Sequence, residues 1–123
     1  MQYAVTWQRI EGALVFLAGL ALFWHADSGL QWWAALLVFF SPDLTFLGYL
    51  LGPRYGAAFY NGAHIYALGI VLLALGIAIS IPPLVGVGAL VLAHSGFDRM
   101  LGYGLKSPDS FSITHLGRIG QVK

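Results

Sequence analysis

Four side chains in this sequence have the types and the spacing of a metal site: Asp43, His64, His94 and Asp98. His94 and Asp98 are four residues apart, so in a helix they lie on the same face. Imidazole nitrogens and carboxylate oxygens suit zinc, manganese or iron(II), and this mixture of ligands does not distinguish the three metals. The residue types therefore predict a divalent-metal site, in which Asp43, His94 and Asp98 are also candidate catalytic groups.

The chain around these residues is strongly apolar. Of its 123 residues 59% are hydrophobic and only 9% are charged, whereas about 25% of the residues in soluble domains are charged. This composition predicts a small integral-membrane protein with a single membrane domain. A net charge of +1 gives no reason to expect a nucleic-acid partner, and the absence of cysteine excludes disulfides and thiolate metal sites.

Four apolar segments, residues 7–24, 30–52, 57–81 and 84–103, are each close to the roughly 20 residues that cross a bilayer as a helix. The connections are short, which favours antiparallel neighbours and an all-α, four-helix membrane bundle. None of the segments alternates polar and apolar residues as a membrane β-strand does. We expect a four-span transmembrane domain over residues 1–106 and a cytoplasmic C-terminal tail over residues 107–123, with the first segment retained as a helix and not cleaved as a signal peptide.

The basic residues predict the orientation. With four spans, the N-terminus, the second connection and the tail lie on one side of the membrane, and every Lys and Arg belongs to these regions. By the positive-inside rule that side is the cytoplasm. Both termini are therefore expected to be cytoplasmic. The six basic residues are Arg9, Arg54, Arg99, Lys106, Arg118 and Lys123.

The four candidate ligands are predicted to share one depth in the membrane. At about 1.5 Å per residue they lie roughly 8 to 14 Å inside the cytoplasmic boundary, and Glu11 enters the same layer from its shallow edge. A charge near the bilayer centre costs about 3 kcal/mol or more, so such groups face inward and pair with each other or with an ion. Arg99, nearer the boundary, is expected to extend to the cytoplasmic surface.

The stretch FFSPDLTF predicts a break in the second segment. Ser41 is suited to cap a helix and Pro42 to be its first residue. Asp43 would then lie at a helix N-terminus, where the helix dipole favours a negative charge. Irregular backbone at this depth is tolerated where it lines a cavity, which again indicates a site.

The tail KSPDSFSITHLGRIGQVK offers one further ligand. Phe111, Ile113 and Leu116 could anchor it along the cytoplasmic interface, which would bring His115 under the cluster as a fifth metal ligand. The alternative is a disordered tail.

Several stretches, PDLTFLGYLLGP, GAAFYNGAH, AHSGFDRMLGYGLK and THLGRIG, together resemble a family of small bacterial integral-membrane proteins known as a domain of unknown function, the 4260 family. This resemblance covers nearly the whole chain and implies a four-span membrane protein. More distantly, Asp43, His64 and the His94–Asp98 pair are similar in order and spacing to the motifs of predicted inner-membrane metal-dependent hydrolases. The chain departs from those hydrolases at YNGAH, which has Asn61 where a histidine is expected.

Three functions remain open from the sequence. The leading hypothesis is a membrane-embedded divalent-metal site that hydrolyses an ester or phosphoester of a lipid-like substrate. The second is a non-catalytic accessory subunit that packs against a larger membrane complex or a second copy of itself, with the polar cluster fixing helix register. The third is a b-type haem held by His64 and His94, although a haem does not need the nearby carboxylates.

Overall fold

The computed structural model describes residues 2–119, and most of this region is helical. A 3₁₀ helix, Ser41–Leu51, follows directly on α2. Two short strands near the end of the chain pair as an antiparallel hairpin. The α-helices are α1 (Gln2–Ala26), α2 (Trp32–Phe40), α3 (Pro53–His64), α4 (Tyr66–Ala78) and α5 (Pro82–Leu101), and the strands are β1 (Ile113–Thr114) and β2 (Gly117–Arg118).

Helix α5 is the centre of the molecule. Helices α1 and α4 pack along it, α2 and α3 touch it over shorter lengths, and the 3₁₀ helix packs on α3. Small residues allow the close approach: a Cβ added at Gly96 of α5 would lie 2.5 Å from the backbone nitrogen of Phe16 in α1. A Cβ at Gly69 of α4 would likewise lie 2.5 Å from the nitrogen of Leu92. Glycine therefore sets the helix separation on both sides of α5, as small residues do in membrane bundles.

The distribution of polarity is the reverse of that in a soluble protein. The largest fully buried side chains are His64, His94 and Ser95, whereas large apolar side chains such as Leu50, which is 85% exposed, cover the outside. Three helical stretches, Gln2–Ala26, Trp32–Leu51 and Pro82–Leu101, are long and apolar enough to cross a membrane. Helices α3 and α4 meet at an angle of 47° and make a fourth candidate if they form one bent span.

The predicted break in the second segment is confirmed at Ser41, but its form differs from the prediction. Ser41 does not cap a new α-helix; it is the first residue of the 3₁₀ helix, and its hydroxyl donates a hydrogen bond of 2.7 Å to the carbonyl of Val38. Pro42 lies in the first turn, as expected. Eleven residues is long for a 3₁₀ helix, because runs beyond three or four residues are uncommon.

The third segment was predicted as one continuous helix, and this is wrong. The helix breaks at Ile65, whose backbone is extended at φ −81° and ψ 151°. The chain has neither proline nor glycine at this residue, so no local sequence signal marks the break. It ends α3 at His64, and the backbone carbonyls near that residue lose partners that a continuous helix would supply.

The tail is ordered and folded back on the bundle as far as residue 119, so the disordered alternative is wrong for this part. The Ser107 amide donates to the Ile113 carbonyl over 2.7 Å, and the His115 amide donates to the Leu105 carbonyl over 3.1 Å. Lys106 thereby pairs with Thr114 beside the hairpin. Residues 120–123 of the predicted tail, including Lys123, lie outside the described residues.

Candidate metal centre

The four predicted ligands converge on one point, as the shared depth suggested. One ligand atom from each of Asp43, His64, His94 and Asp98 lies within 4.8 Å of all the others. The Nε2 atoms of His64 and His94 are 3.2 Å apart, and each is 3.1 Å from Oδ1 of Asp43. Oδ2 of Asp98 is 3.3 Å from His64 Nε2 and 3.7 Å from His94 Nε2.

His64 is oriented by Tyr60, one turn earlier in α3. Nδ1 of His64 lies 2.7 Å from the Tyr60 carbonyl oxygen, which can only accept a hydrogen bond, so Nδ1 carries the proton. The two rings are stacked, with centroids 3.8 Å apart and planes 9° from parallel. A neutral His64 held in this way presents the bare lone pair of Nε2 to the cluster, which is the tautomer that binds metal.

His94 comes from the middle of the buried helix α5 and is 1% exposed. The rings of Phe39 and Phe40, at the end of α2, meet it edge-on at 5.3 and 6.4 Å between centroids. Among the described residues its Nδ1 has no hydrogen-bond partner. All its polar contacts are therefore made through Nε2, which points at the other three ligands.

The two carboxylates differ in exposure. Asp98 has a side chain only 10% exposed, and its Oδ2 accepts a hydrogen bond of 3.3 Å from the Tyr60 hydroxyl. Asp43, in the first turn of the 3₁₀ helix, is 51% exposed although its Oδ1 contacts both histidines. Asp98 is thus fixed by neighbours, while Asp43 closes the cluster from its open side.

The spacing of the ligand atoms fits a small divalent ion. Metal–ligand bonds of about 2.0 to 2.2 Å in a tetrahedral site separate neighbouring ligand atoms by about 3.3 to 3.6 Å. Five of the six distances between the ligand atoms run from 3.1 to 3.7 Å, and the sixth, between the two carboxylates, is at most 4.8 Å. Donor chemistry and geometry therefore agree, and the residues present fit the predicted metal.

A cavity of about 390 Å³ leads to the open side of the cluster. The two carboxylates form one wall and the tail forms another, so the cavity lies between the bundle and the folded-back tail. Its lining residues are Asp43, Tyr60, Asp98, Tyr103, Lys106, Phe111 and Ile119.

Lys106, where the predicted membrane domain ends and the tail begins, lines the cavity, and the sequence did not indicate this. The residue is 5% exposed, and its Nζ lies 3.9 Å from the centroid of the Phe111 ring and 4.9 Å from that of Tyr60. Burial lowers the pKa of Lys106 from its usual value, and the charges of Asp98 and Asp43 partly offset this. Aromatic faces stabilise such a partly dehydrated cation.

Asn61 positions Lys106 through its backbone. The side-chain nitrogen Nδ2 of Asn61 donates to the Lys106 carbonyl over 2.9 Å. The backbone amide of Lys106 donates to Oδ1 of Asn61 over 2.6 Å. The side chain thus fixes the backbone of the tail as a paired strand would. Asn61 thereby attaches the tail to α3.

Arg99 was expected to reach the surface, and this is wrong, because the residue is 4% exposed. One guanidinium nitrogen donates to the carbonyl of His64, at the break between α3 and α4, and another donates to the Tyr103 carbonyl over 2.9 Å. The guanidinium also lies 5.6 Å from the centroid of the Tyr66 ring. Arg99 therefore donates to the His64 carbonyl the hydrogen bond that a continuous helix would have supplied. It thereby holds the backbone of His64, one of the candidate ligands.

The structure does not bring the other ionisable candidates into the cluster. Glu11 is exposed on α1 and does not belong to the converging group. His115 is also exposed and outside that group; its Nδ1 accepts a hydrogen bond of 2.8 Å from the Leu105 amide. The tail approaches the site as expected, but through Lys106 and Phe111.

These features define a class of small helical protein, with apolar helices around a buried Asp–His–His–Asp cluster. The chain belongs to the family described as "Domain of unknown function (DUF4260)", whose model matches residues 5–119. No curated protein and no solved structure matches the chain. The similarity of its motifs to membrane metal-dependent hydrolases stays a prediction from their order in the sequence.

Proposed function

We propose that this protein is a four-span membrane protein whose cluster of Asp43, His64, His94 and Asp98 binds one divalent metal ion. The observation that carries the proposal is the convergence of four ligand atoms within 4.8 Å, three of them from largely buried side chains. Zinc, manganese and iron(II) all accept these ligands.

Hydrogen bonding alone accounts poorly for this arrangement. With its Nδ1 proton committed to the Tyr60 carbonyl, neutral His64 brings a bare lone pair to the cluster, and two carboxylate oxygens bring more. His94 Nε2 can supply at most one proton to the three acceptors around it. The remaining lone pairs face one another, and a bound cation would satisfy them.

The geometry disfavours the haem alternative. The macrocycle would have to pass between the two imidazoles, yet their Nε2 atoms are 3.2 Å apart and both contact the same oxygen of Asp43. The rings are also inclined at 63° to each other. An absorption spectrum of the purified protein checks this choice between a small ion and a haem.

We further propose that the site hydrolyses an ester or phosphoester of a lipid-like molecule. When bound, the ion would supply Lewis acidity. Asp43 is suited to be the general base through Oδ2, because Oδ1 is the oxygen that contacts the two histidines and the side chain is half exposed and lines the cavity. A water oxygen bonds to the acyl carbon or phosphorus, the bond to the alkoxy oxygen breaks, and Asp43 passes the proton of the water to the departing alcohol.

The proposed topology places both termini and the cavity on the cytoplasmic side of a bacterial inner membrane. It is supported by the basic residues and by a hydrogen bond of 2.9 Å from Arg9 Nε to the Met100 carbonyl, which joins the start of α1 to the end of α5. Single cysteines are clean probes in a chain without native cysteine. Gln31→Cys should react with an impermeant maleimide in intact cells, and Asp109→Cys should react only after lysis. The reverse pattern would contradict the topology.

Metal analysis of the purified protein tests the central claim. We expect one equivalent of zinc, manganese or iron in the wild type and its loss in His94→Leu, because removing one of four ligands leaves an incomplete shell. His25→Leu is the matched control, since His25 is exposed and outside the cluster, and should keep the metal. A wild type that neither contains nor takes up any of the three metals would refute the proposal and favour the accessory subunit, whereas a Soret band would favour haem.

A further inference from the structure

The cavity beside the cluster places one buried cation opposite two carboxylates. Lys106 shares the cavity with Asp43 and Asp98, yet within residues 2–119 no carboxylate lies within 4.0 Å of its Nζ. Its Nζ lies instead over the faces of the Phe111 and Tyr60 rings. A buried ammonium normally has a paired anion, so Lys106 is a charge without its complement in this part of the chain.

Hydrogen bonds hold the backbone of Lys106, and its side chain lines the cavity. Asn61 makes two hydrogen bonds to it, and Thr114 pairs with it from the tail. The residue is also 5% exposed. A lysine that served only solubility or membrane-surface attraction would extend into water, whereas this one is fixed between aromatic rings and faces the candidate metal ligands.

The charge balance of the cavity depends on the ion. Two ionised carboxylates offset the charge of one divalent ion, and the histidines that bind metal are neutral. With the ion bound, Lys106 leaves the cavity with one excess positive charge. Without the ion, the lining of the cavity holds two carboxylates and the single ammonium of Lys106. Binding of the ion therefore makes the cavity more favourable for an anion by adding positive charge beside Lys106.

Building on the proposed metal site, we infer that this cavity binds a phosphate group between the ion and Lys106, so that the substrate is a phosphoester and not a neutral ester. Phosphate offers oxygen atoms to both cations at once, and lysine is a common phosphate ligand. The group could belong to a lipid headgroup or to a soluble phosphoester, and both present the same chemistry to Lys106.

The test uses the full-length protein in nanodiscs of neutral phosphatidylcholine, loaded with manganese, with inorganic phosphate as the probe. Manganese accelerates ³¹P relaxation steeply at short distance, so the ³¹P relaxation rate reports phosphate beside the ion. Lys106→Met should weaken phosphate binding on the order of 10-fold to 100-fold, as expected for losing a charged hydrogen bond. The Lys106→Met variant should bind manganese at least as tightly as the wild type, because a positive charge near the ion is removed. Arg54→Met removes an exposed cation and is the matched control for net charge.

A second variant separates a role in positioning from a role in folding. Asn61→Ala keeps the ammonium but releases its backbone, so we expect a smaller loss of phosphate affinity with manganese binding retained. In the Lys106→Met background, Asn61→Ala should have no further effect on phosphate, since Asn61 acts through Lys106. Retained manganese binding also shows that each variant is folded.

The outcomes separate the two proposals. If the wild type binds manganese but phosphate binds equally to wild type and Lys106→Met, the phosphate inference is wrong and the metal site stands. If the wild type binds no manganese, the proposed function fails, and the inference fails with it. Adding phosphatidic acid to the nanodiscs distinguishes the sources: displacement of inorganic phosphate supports a lipid headgroup, and unchanged binding supports a soluble phosphoester.

Discussion

Helices α1 and α5 have the same mean hydropathy in their most apolar windows, but only 11% of that window is buried in α1 against 67% in α5. The difference lies in the kinds of residues that give this average. Helix α1 carries large apolar side chains on its outside, such as Leu14 and Leu17, which are 63% and 59% exposed. Helix α5 combines small residues with buried His94, Asp98 and Arg99. In a membrane protein, polarity and small size mark the interior more reliably than hydropathy does.

The largest expected effect comes from adding volume to the interior helix. Gly96→Leu should cost about 3 kcal/mol or more, or prevent folding, because a Cβ there already meets the backbone of α1 and neither backbone can yield. Gly62→Leu in α3 is the matched control, since nothing lies within 4 Å of a Cβ at that position. Unfolding of the purified proteins in mixed micelles gives both free energies. Equal stability of the two variants would contradict close packing of α1 on α5.

Removing a buried charge should have the next largest effect. Arg99→Met in α5 is expected to lower the free energy of unfolding by about 2 to 4 kcal/mol, because it leaves the carbonyls of His64 and Tyr103 without their donor. Arg9→Met in α1 loses one hydrogen bond from an exposed side chain and should cost about 1 kcal/mol or less. The same unfolding experiment compares the two variants. If Arg99→Met lowers the free energy of unfolding less than Arg9→Met does, the break between α3 and α4 does not depend on the Arg99 guanidinium.

The smallest effect should follow from trimming an outward leucine. Leu17→Ala is expected to change the free energy of unfolding by about 0.5 kcal/mol or less, because a lipid-facing side chain has the same apolar surroundings before and after unfolding within the membrane. Leu90→Ala in α5, at 3% exposure, should cost about 2 kcal/mol or more through the cavity it leaves. Similar values at the two positions would remove the distinction between the helices.

The four converging ligands could be predicted because depth in a membrane follows directly from helical rise. Counting residues from each segment end placed Asp43, His64, His94 and Asp98 in one layer, and small errors at the boundaries did not matter. Asp43 still reaches the cluster even though its helix is 3₁₀ and not α.

The contacts of the tail and of Arg99 could not be predicted in the same way. The burial of Arg99 depends on a carbonyl exposed by the break at Ile65, and no residue there signals a break. Lys106 was counted only as a basic residue on the cytoplasmic side, because its position follows from long-range hydrogen bonds to Asn61. His115 was chosen for its ligand chemistry, but strand pairing turned Lys106 toward the site instead.

The long 3₁₀ helix also affects how the middle of the chain matches the thickness of a bilayer. A 3₁₀ helix rises about 2.0 Å per residue against 1.5 Å in an α-helix, so α2 and the 3₁₀ helix together reach about 35 Å with only 20 residues. Helices α3 and α4 contain 12 and 13 residues and, bent by 47°, span about 34 Å from end to end. Stretching one segment and bending its neighbour thus give them nearly equal reach, as the proposed arrangement of both as neighbouring spans of one bilayer requires.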